Sequence, residues 1–300
     1  IFGSNTSTLP ITGLAEASVR PDQFIGIHFF SPVDKMGLVE IIMGKKTGSR
    51  ALAVAIDYVK QIKKTPIVVN DSRGFYTSRC FGTYVAEGQE MLAEGIAPAI
   101  IDNVGRATGM PRGPLELADD VALDLAYKVR AQTKKDLGDK YVEGPSDALI
   151  EAMVVKNNRL GRKNGKGFYD YPANGPKRLW HGLADLVKVK VTSAEPDDVD
   201  ELKKRFLYRQ AVEAARCFEE NVVTDPRDGD VGAILGWGFA PYTGGPLSLI
   251  DSVGLKKFVE ECDRMAQKYG PRFAPGKLLR DMAAKGDTFY GRFNPAKKAA

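Results

Sequence analysis

FIGIHFFSP, residues 24–32, sets a histidine inside an apolar run. Its length, its aromatic and β-branched residues and the closing Pro32 read as a buried strand over residues 24–30. An imidazole in such a place loses its hydration unless something bonds it. A second apolar run, GLVEIIMG at 37–44, reads as a strand over 38–43 whose lone polar group is Glu40. The link SPVDKMG, residues 31–37, is short enough for a hairpin. With the turn centred near Asp34, positions 28 and 40 are equidistant from it, so their Cβ atoms face each other at roughly 4.5–5.5 Å. A carboxylate there accepts from one imidazole nitrogen, fixes the tautomer and raises the basicity of the other. That is how a general base is oriented. A buried ion pair without chemistry fits the same spacing, because perturbed pairs are not confined to active sites.

Outward from this hairpin, residues 1–3 end a strand and residues 10–19 form a short helix with Pro10 in its first turn. Residues 49–64 form a longer helix with Ser49 as N-cap and Ala53, Ile56, Tyr58 and Val59 on its buried side. Residues 66–69 add a strand. Residues 1–71 thus read as the closing, strand-and-helix part of an α/β domain. Beyond Asp71 the strands stop. Residues 72–172 are a first helical domain, 173–200 a connector, and 201–300 a second helical domain that repeats the first. RCFGTYVAEGQEMLAEGI from Arg79 lies over RFLYRQAVEAARCFEENV from Arg205, so that Arg79, Glu87 and Glu94 match Arg205, Glu213 and Glu220. GPLELADDV from Gly113 lies over GPLSLIDSV from Gly245. The agreement favours a duplicated helical unit over shared helical composition.

Charged residues make up 27% and hydrophobic residues 43%, the balance of an ordinary soluble fold. A formal charge of +5 without a basic stripe interleaved with aromatics sets nucleic acid aside. No apolar run approaches the roughly 20 residues of a membrane span, and no signal peptide is evident. Cys80, Cys217 and Cys262 form no CxxC and read as buried thiols in a reducing compartment, the cytoplasm. The opening IFGSNTS has no Met and starts inside a strand, which reads as a longer protein entered partway.

Two further stretches carry chemistry. GSNTSTLPI, residues 3–11, follows a strand and precedes a helix. Ser7 or Thr8 could cap that helix; alternatively Asn5 and Ser7 present hydrogen-bonding groups at the sheet edge where open α/β folds bind ligands. KNNRLGRKNGKG, residues 156–167, is a basic, glycine-bearing loop that is either solvated or closes over a phosphate-bearing ligand. No strand is followed by G-x-G-x-x-G, no metal-ligand spacing surrounds His181, and there is no G-x-S-x-G elbow.

SNTSTLPIT, IHFFSPVDKMGLVEII, TPIVVNDSRGF, MPRGPLELAD and GRKNGKGFYDY resemble, in order, the motifs of the 3-hydroxyacyl-CoA dehydrogenases. The second helical part, with GWGFAPYTGGPLSLIDSVG, is similar to the end of the multifunctional α subunits of fatty-acid β-oxidation. The resemblance implies NAD as cofactor, held by a Rossmann-type domain of which residues 1–71 are the closing part, and an acyl-CoA substrate. It implies His28 as catalytic base, Glu40 as its orienting carboxylate and Ser7 as a catalytic and substrate contact. Asn5, Ser7 and Lys163 would be cofactor contacts. Two positions depart: Ser31 stands where many members have Asn, and Ser78, at the substrate-binding position, also replaces Asn. The resemblance further implies an upstream enoyl-CoA hydratase region and a thiolase subunit as partners. Because the glycine-rich NAD turn is missing, these 300 residues are expected to be inactive alone. A non-catalytic helical assembly module of a multifunctional protein is the alternative.

Overall fold

Residues 1–141 and 143–293 are described by a computed structural model. In chain order the elements begin β1 (Phe2–Ser4), α1 (Ile11–Ala15), β2 (Phe24–Phe29), β3 (Leu38–Met43), α2 (Ser49–Gln61) and β4 (Thr65–Asn70). Then come α3 (Thr77–Ala93), α4 (Pro98–Ala107), α5 (Pro114–Val121), α6 (Leu123–Leu137) and α7 (Pro145–Glu151). A two-stranded ribbon, β5 (Tyr169–Asp170) and β6 (Arg178–Leu179), precedes α8 (Leu183–Leu186). The remaining helices are α9 (Pro196–Glu219), α10 (Pro226–Trp237), α11 (Pro246–Val253), α12 (Leu255–Tyr269), α13 (Lys277–Lys285) and α14 (Phe289–Arg292).

The chain divides into two compact units. One is Ile1–Thr83 with the chain from Leu207 onward; the other is Tyr84–Phe206. Neither coincides with a segment drawn from the sequence, because α10 packs on the sheet.

The first unit is built on a four-stranded sheet in the order β1-β2-β3-β4, with β2 and β3 antiparallel and the outer pairs parallel. Side chains alternate across it. Ile25, Val39 and Ile41 meet Ala51, Ala55 and Val59 of α2 on one face. On the other, α1 lies so close that a Cβ on Gly26 would stand 2.8 Å from Ile11 Cγ1, which is why β2 carries a glycine there. α10 approaches the same way: a Cβ on Gly232 would meet Ile67, and one on Gly236 would meet Leu38. Asp228 of α10 accepts from the N–H of Val68. Arg79 holds Glu213 at 2.8 Å and Glu220 at 2.6 Å.

The second unit carries the counterpart of that clamp. Arg205 holds Glu87 and Glu94, each at 2.6 Å, and its side chain is 1% exposed. The correspondence continues helix by helix. Asp102 accepts from the N–H groups of Leu115 and Glu116 and from the Tyr169 hydroxyl. In the first unit, Asp230 accepts from the N–H groups of Leu247 and Ser248 and from the Tyr290 hydroxyl. Asp119 accepts from the N–H groups of Phe168 and Tyr169, and Asp251 from those of Phe289 and Tyr290. Each aspartate supplies acceptors to backbone donors that a helix start or a turn leaves over.

Several expectations shift. α1 is shorter than 10–19, because Val19 is exposed and no burial supports another turn. α2 ends at Gln61, its N-cap is Gly48 rather than Ser49, and its buried line is Ala51, Ala55 and Val59; Ala53 and Tyr58 face solvent. Strands do not stop at Asp71: β5 and β6 are too short to leave a pattern in sequence. The three cysteines are free and buried. Among the described residues no helix is long and apolar enough to cross a membrane, and no cluster of His, Cys, Asp and Glu is placed to hold a metal ion.

Candidate functional site

The β2–β3 register pairs His28 directly with Glu40. His28 Nδ1 lies 2.9 Å from Glu40 Oε2, and the residues are 6% and 0% exposed. A carboxylate can only accept, so the hydrogen is assigned to Nδ1 and the lone pair to Nε2. Among the described residues Nε2 makes no hydrogen bond. The imidazole stands beside the rings of Phe30 and Phe75, with centroids 4.5 and 6.0 Å away.

Glu40 has partners that its strand does not provide. Its Oε1 accepts from the N–H groups of Tyr76 and Thr77 at 3.0 and 3.1 Å, and its Oε2 from the Thr77 hydroxyl at 2.6 Å. Those amides open α3, so the carboxylate also meets the positive end of a helix. The turn that aims them has φ of +74° at Gly74 and +50° at Phe75. A bulky residue rarely adopts that conformation; here Phe75 is fully buried, and the Arg79 N–H bonds the Gly74 carbonyl. Sequence reasoning missed Thr77. The only signal was a hydroxyl beside Ser78 in GFYTSR, and nothing in a linear reading connects it to a strand 37 residues away.

The loop after β1 is tied to the same region. Asn5 Oδ1 accepts from the Phe29 N–H at 2.9 Å, and the Ser7 carbonyl accepts from the Ser78 hydroxyl at 3.1 Å. The Thr8 carbonyl accepts from the Gly74 N–H. The Ser7 hydroxyl lies 3.3 Å from that of Thr8. Neither hydroxyl caps α1: the N–H groups of Ile11 and Thr12 go to the carboxylate of Asp71, at 2.9 and 2.7 Å. The capping alternative for Ser7 therefore fails, because a carboxylate sixty residues on does that work. His28, Glu40, Asn5, Ser7 and Ser78 all lie in the first unit. Lys163 lies in the second, where its Nζ is 2.5 Å from Asp124 Oδ1.

A family model for the NAD binding domain of 3-hydroxyacyl-CoA dehydrogenase matches residues 1–72, and one for the C-terminal domain of the same enzyme matches residues 74–171. A fatty acid oxidation complex subunit alpha of Shewanella amazonensis is 41% identical over 97% of this chain and 40% of its own length. That of Shewanella loihica is 40% identical over the same shares of each. The chain thus spans about 40% of the length of these relatives. Among solved structures, the dehydrogenase part of multifunctional enzyme 1 from C. elegans is 27% identical, with a TM-score of 0.66 over 94% of this chain and 64% of that one. A 3-hydroxybutyryl-CoA dehydrogenase of Escherichia coli K12, 22% identical, shares the fold, with a TM-score of 0.75 over 95% of this chain and 75% of that one.

Proposed function

The chain belongs to the 3-hydroxyacyl-CoA dehydrogenase family, and from that premise we propose that it serves the NAD-dependent oxidation of 3-hydroxyacyl-CoA to 3-ketoacyl-CoA in fatty-acid β-oxidation. The observation that carries this reading is the buried His28–Glu40 pair, whose Nε2 makes no hydrogen bond among the described residues.

When bound, NAD supplies the hydride acceptor. The residues at the C-terminal ends of parallel β1 and β2 fit its nicotinamide end: with Asn5 Oδ1 turned to Phe29, the Asn5 amide nitrogen remains a donor, and the Ser7 hydroxyl stands on the same loop. His28 Nε2 takes the proton of the 3-hydroxyl. Glu40 stabilises the resulting imidazolium through Nδ1–H. Phe30 and Phe75 shield the ring from water. Ser7 contacts substrate and cofactor, and Ser78 holds the Ser7 carbonyl in addition to any contact with substrate. Lys163 is a cofactor contact on this reading, released from Asp124. The recurring arginine clamps and aspartate acceptors support a helical unit present twice, over 72–172 and 201–300. Membership of a fatty-acid oxidation complex, with a hydratase region and a thiolase subunit as partners, is part of the same proposal.

These residues contain no glycine-rich turn to bind the pyrophosphate. The chain by itself should then bind NAD no tighter than about millimolar, roughly −4 kcal/mol, and be inactive alone at lower cofactor concentrations. The test is reduction of a 3-ketoacyl-CoA at millimolar NADH, with His28→Gln as the control. Loss of at least ~10²-fold in kcat is expected for a positioned base. Equal, measurable rates in the two proteins would remove His28 from the mechanism; no rate in either at saturating NADH would leave the assembly-module reading in possession.

A further inference from the structure

The geometry points to Thr77 as a positioning residue whose hydroxyl, by sharing Glu40 Oε2 with the imidazole, sets the pH at which His28 changes protonation. The inference concerns the same site as the proposed function and rests on that reading only for its catalytic consequence.

Two donors converge on one oxygen. Thr77 Oγ1 is 2.6 Å from Glu40 Oε2 and His28 Nδ1 is 2.9 Å from it, while two backbone amides occupy Oε1. Thr77 is 1% exposed, so no water can take the place of its hydroxyl. The amides at Oε1 come with the helix start and are independent of side chain. The hydroxyl is the one donor on this carboxylate, among the described residues, that a point substitution can remove without touching the pair itself. A hydrogen bond to the charged form lowers the basicity of a carboxylate. Glu40 therefore attracts the imidazolium proton less than it would with Oε2 free. Removing the hydroxyl concentrates charge on that oxygen, stabilises the imidazolium and moves the titration of His28 upward.

Few other groups compete for that control. On α3, Tyr76 and Cys80 are pushed up by burial and stay neutral, and Arg79 is drawn to Glu213 and Glu220. On α10, Asp228 faces the Val68 N–H and Asp230 the N–H groups that open α11. Asp71, after β4, is held by the first amides of α1, a helix with no ionisable side chain. Arg50, Asp57 and Lys60 belong to α2, on the opposite face of the sheet.

Because the chain has only two histidines, the imidazole nitrogens of His28 can be followed by NMR in the intact protein against His181 alone. Thr77→Val, which keeps shape and β-branching, should raise the titration midpoint of His28 by ~0.5–1 pH unit, the scale of one ordinary intramolecular hydrogen bond. Thr77→Ser should restore it. Thr77→Ala makes the same comparison if Val is not accommodated. An unchanged midpoint in folded Thr77→Val or Thr77→Ala, or a shift in Thr77→Ser as large as in Val, overturns the inference. The acid limb of kcat/KM for alcohol oxidation should move by the same amount. A midpoint that moves while the limb stays fixed would keep Thr77 as the positioning residue and count against His28 as the base.

Discussion

The two helical stretches, α4–α5 with Phe168-Tyr169 and α10–α11 with Phe289-Tyr290, solve one problem with the same residues and then diverge. In both, an aspartate receives the first amides of a Gly-Pro-Leu helix and a tyrosine hydroxyl, and a second aspartate receives the amides of a Phe-Tyr pair. The difference lies on the helix surfaces. α10 presents Gly232 and Gly236 to the sheet, where any side chain would collide with Ile67 or Leu38. In the first stretch, Gly105 of α4 instead admits the Tyr84 hydroxyl and Pro114. The first stretch also keeps the basic turn with Arg162 and Lys163. Hydrogen-bonded interiors resist change because each lost acceptor strands a buried donor, whereas surfaces are free to acquire new neighbours.

The comparison breaks first at the arginine clamps. Arg205 and Glu87 are almost fully buried, while Arg79 is partly open and Glu220 half-exposed. Arg205→Ala removes the buried counter-charge of Glu87 and should cost about 3–5 kcal/mol. Arg79→Ala should cost about 1.5–3. Midpoints of chemical denaturation give the order, and equal losses would mean that burial does not separate the two clamps. A finer test uses the glycines before each Gly-Pro-Leu helix. A Cβ on Gly113 or Gly245 would lie 2.3–2.5 Å from Asp102 or Asp230. Gly113 has φ −69°, but Gly245 has φ +116° with ψ 173°. Both alanine variants should be destabilised by crowding, Gly245→Ala by about 1–3 kcal/mol more because of its backbone. The reverse order would mean that crowding outweighs conformation.

The smallest effect is a pH dependence. Burial pushes the Asp119 carboxyl up to about 6 against the pull of its hydrogen bonds to the amides of Tyr169 and Phe168 and to the Tyr171 hydroxyl. The folded chain thus binds this proton more tightly than the unfolded one does. Its contribution to stability is largest at low pH and declines as pH rises between about 4 and 6, by at most about 1.4 kcal/mol per unit. Burial raises Asp251 as well, against hydrogen bonds from two amides among the described residues. Asp119→Asn should flatten the slope between pH 4 and 6 more than Asp251→Asn does; identical slopes would erase the distinction.

The hairpin was legible to the residue, because a symmetric spacing about a turn fixes register and Glu40 could face only one position. The clamp residues were legible as a repeat, since Arg79, Glu87 and Glu94 recur at matching intervals as Arg205, Glu213 and Glu220, but their pairing was not. What could not be read were contacts whose two ends share no pattern. Asp71 on α1 and Thr77 on Glu40 join residues 37–60 positions apart, the second through a turn whose direction depends on a left-handed Phe75. Buried faces of short helices were misjudged for a related reason. α2 turns Ala51, rather than Ala53, inward, in line with Ala55 and Val59 against Ile25, Val39 and Ile41.

The closure of the sheet by α10 also dictates an order of events in time. The β2–β3 hairpin joins residues twelve apart and can form as soon as it is made. Asp228 reaches Val68 across 160 residues, a contact of very high sequence separation. During synthesis, the sheet face bearing His28 and Glu40 therefore stays open while α3 to α9 emerge, and an uncovered apolar face of that kind invites misassociation. The last third of the sequence finishes what the first seventy residues begin, so the timing of its arrival governs how long that face is without its α10 cover.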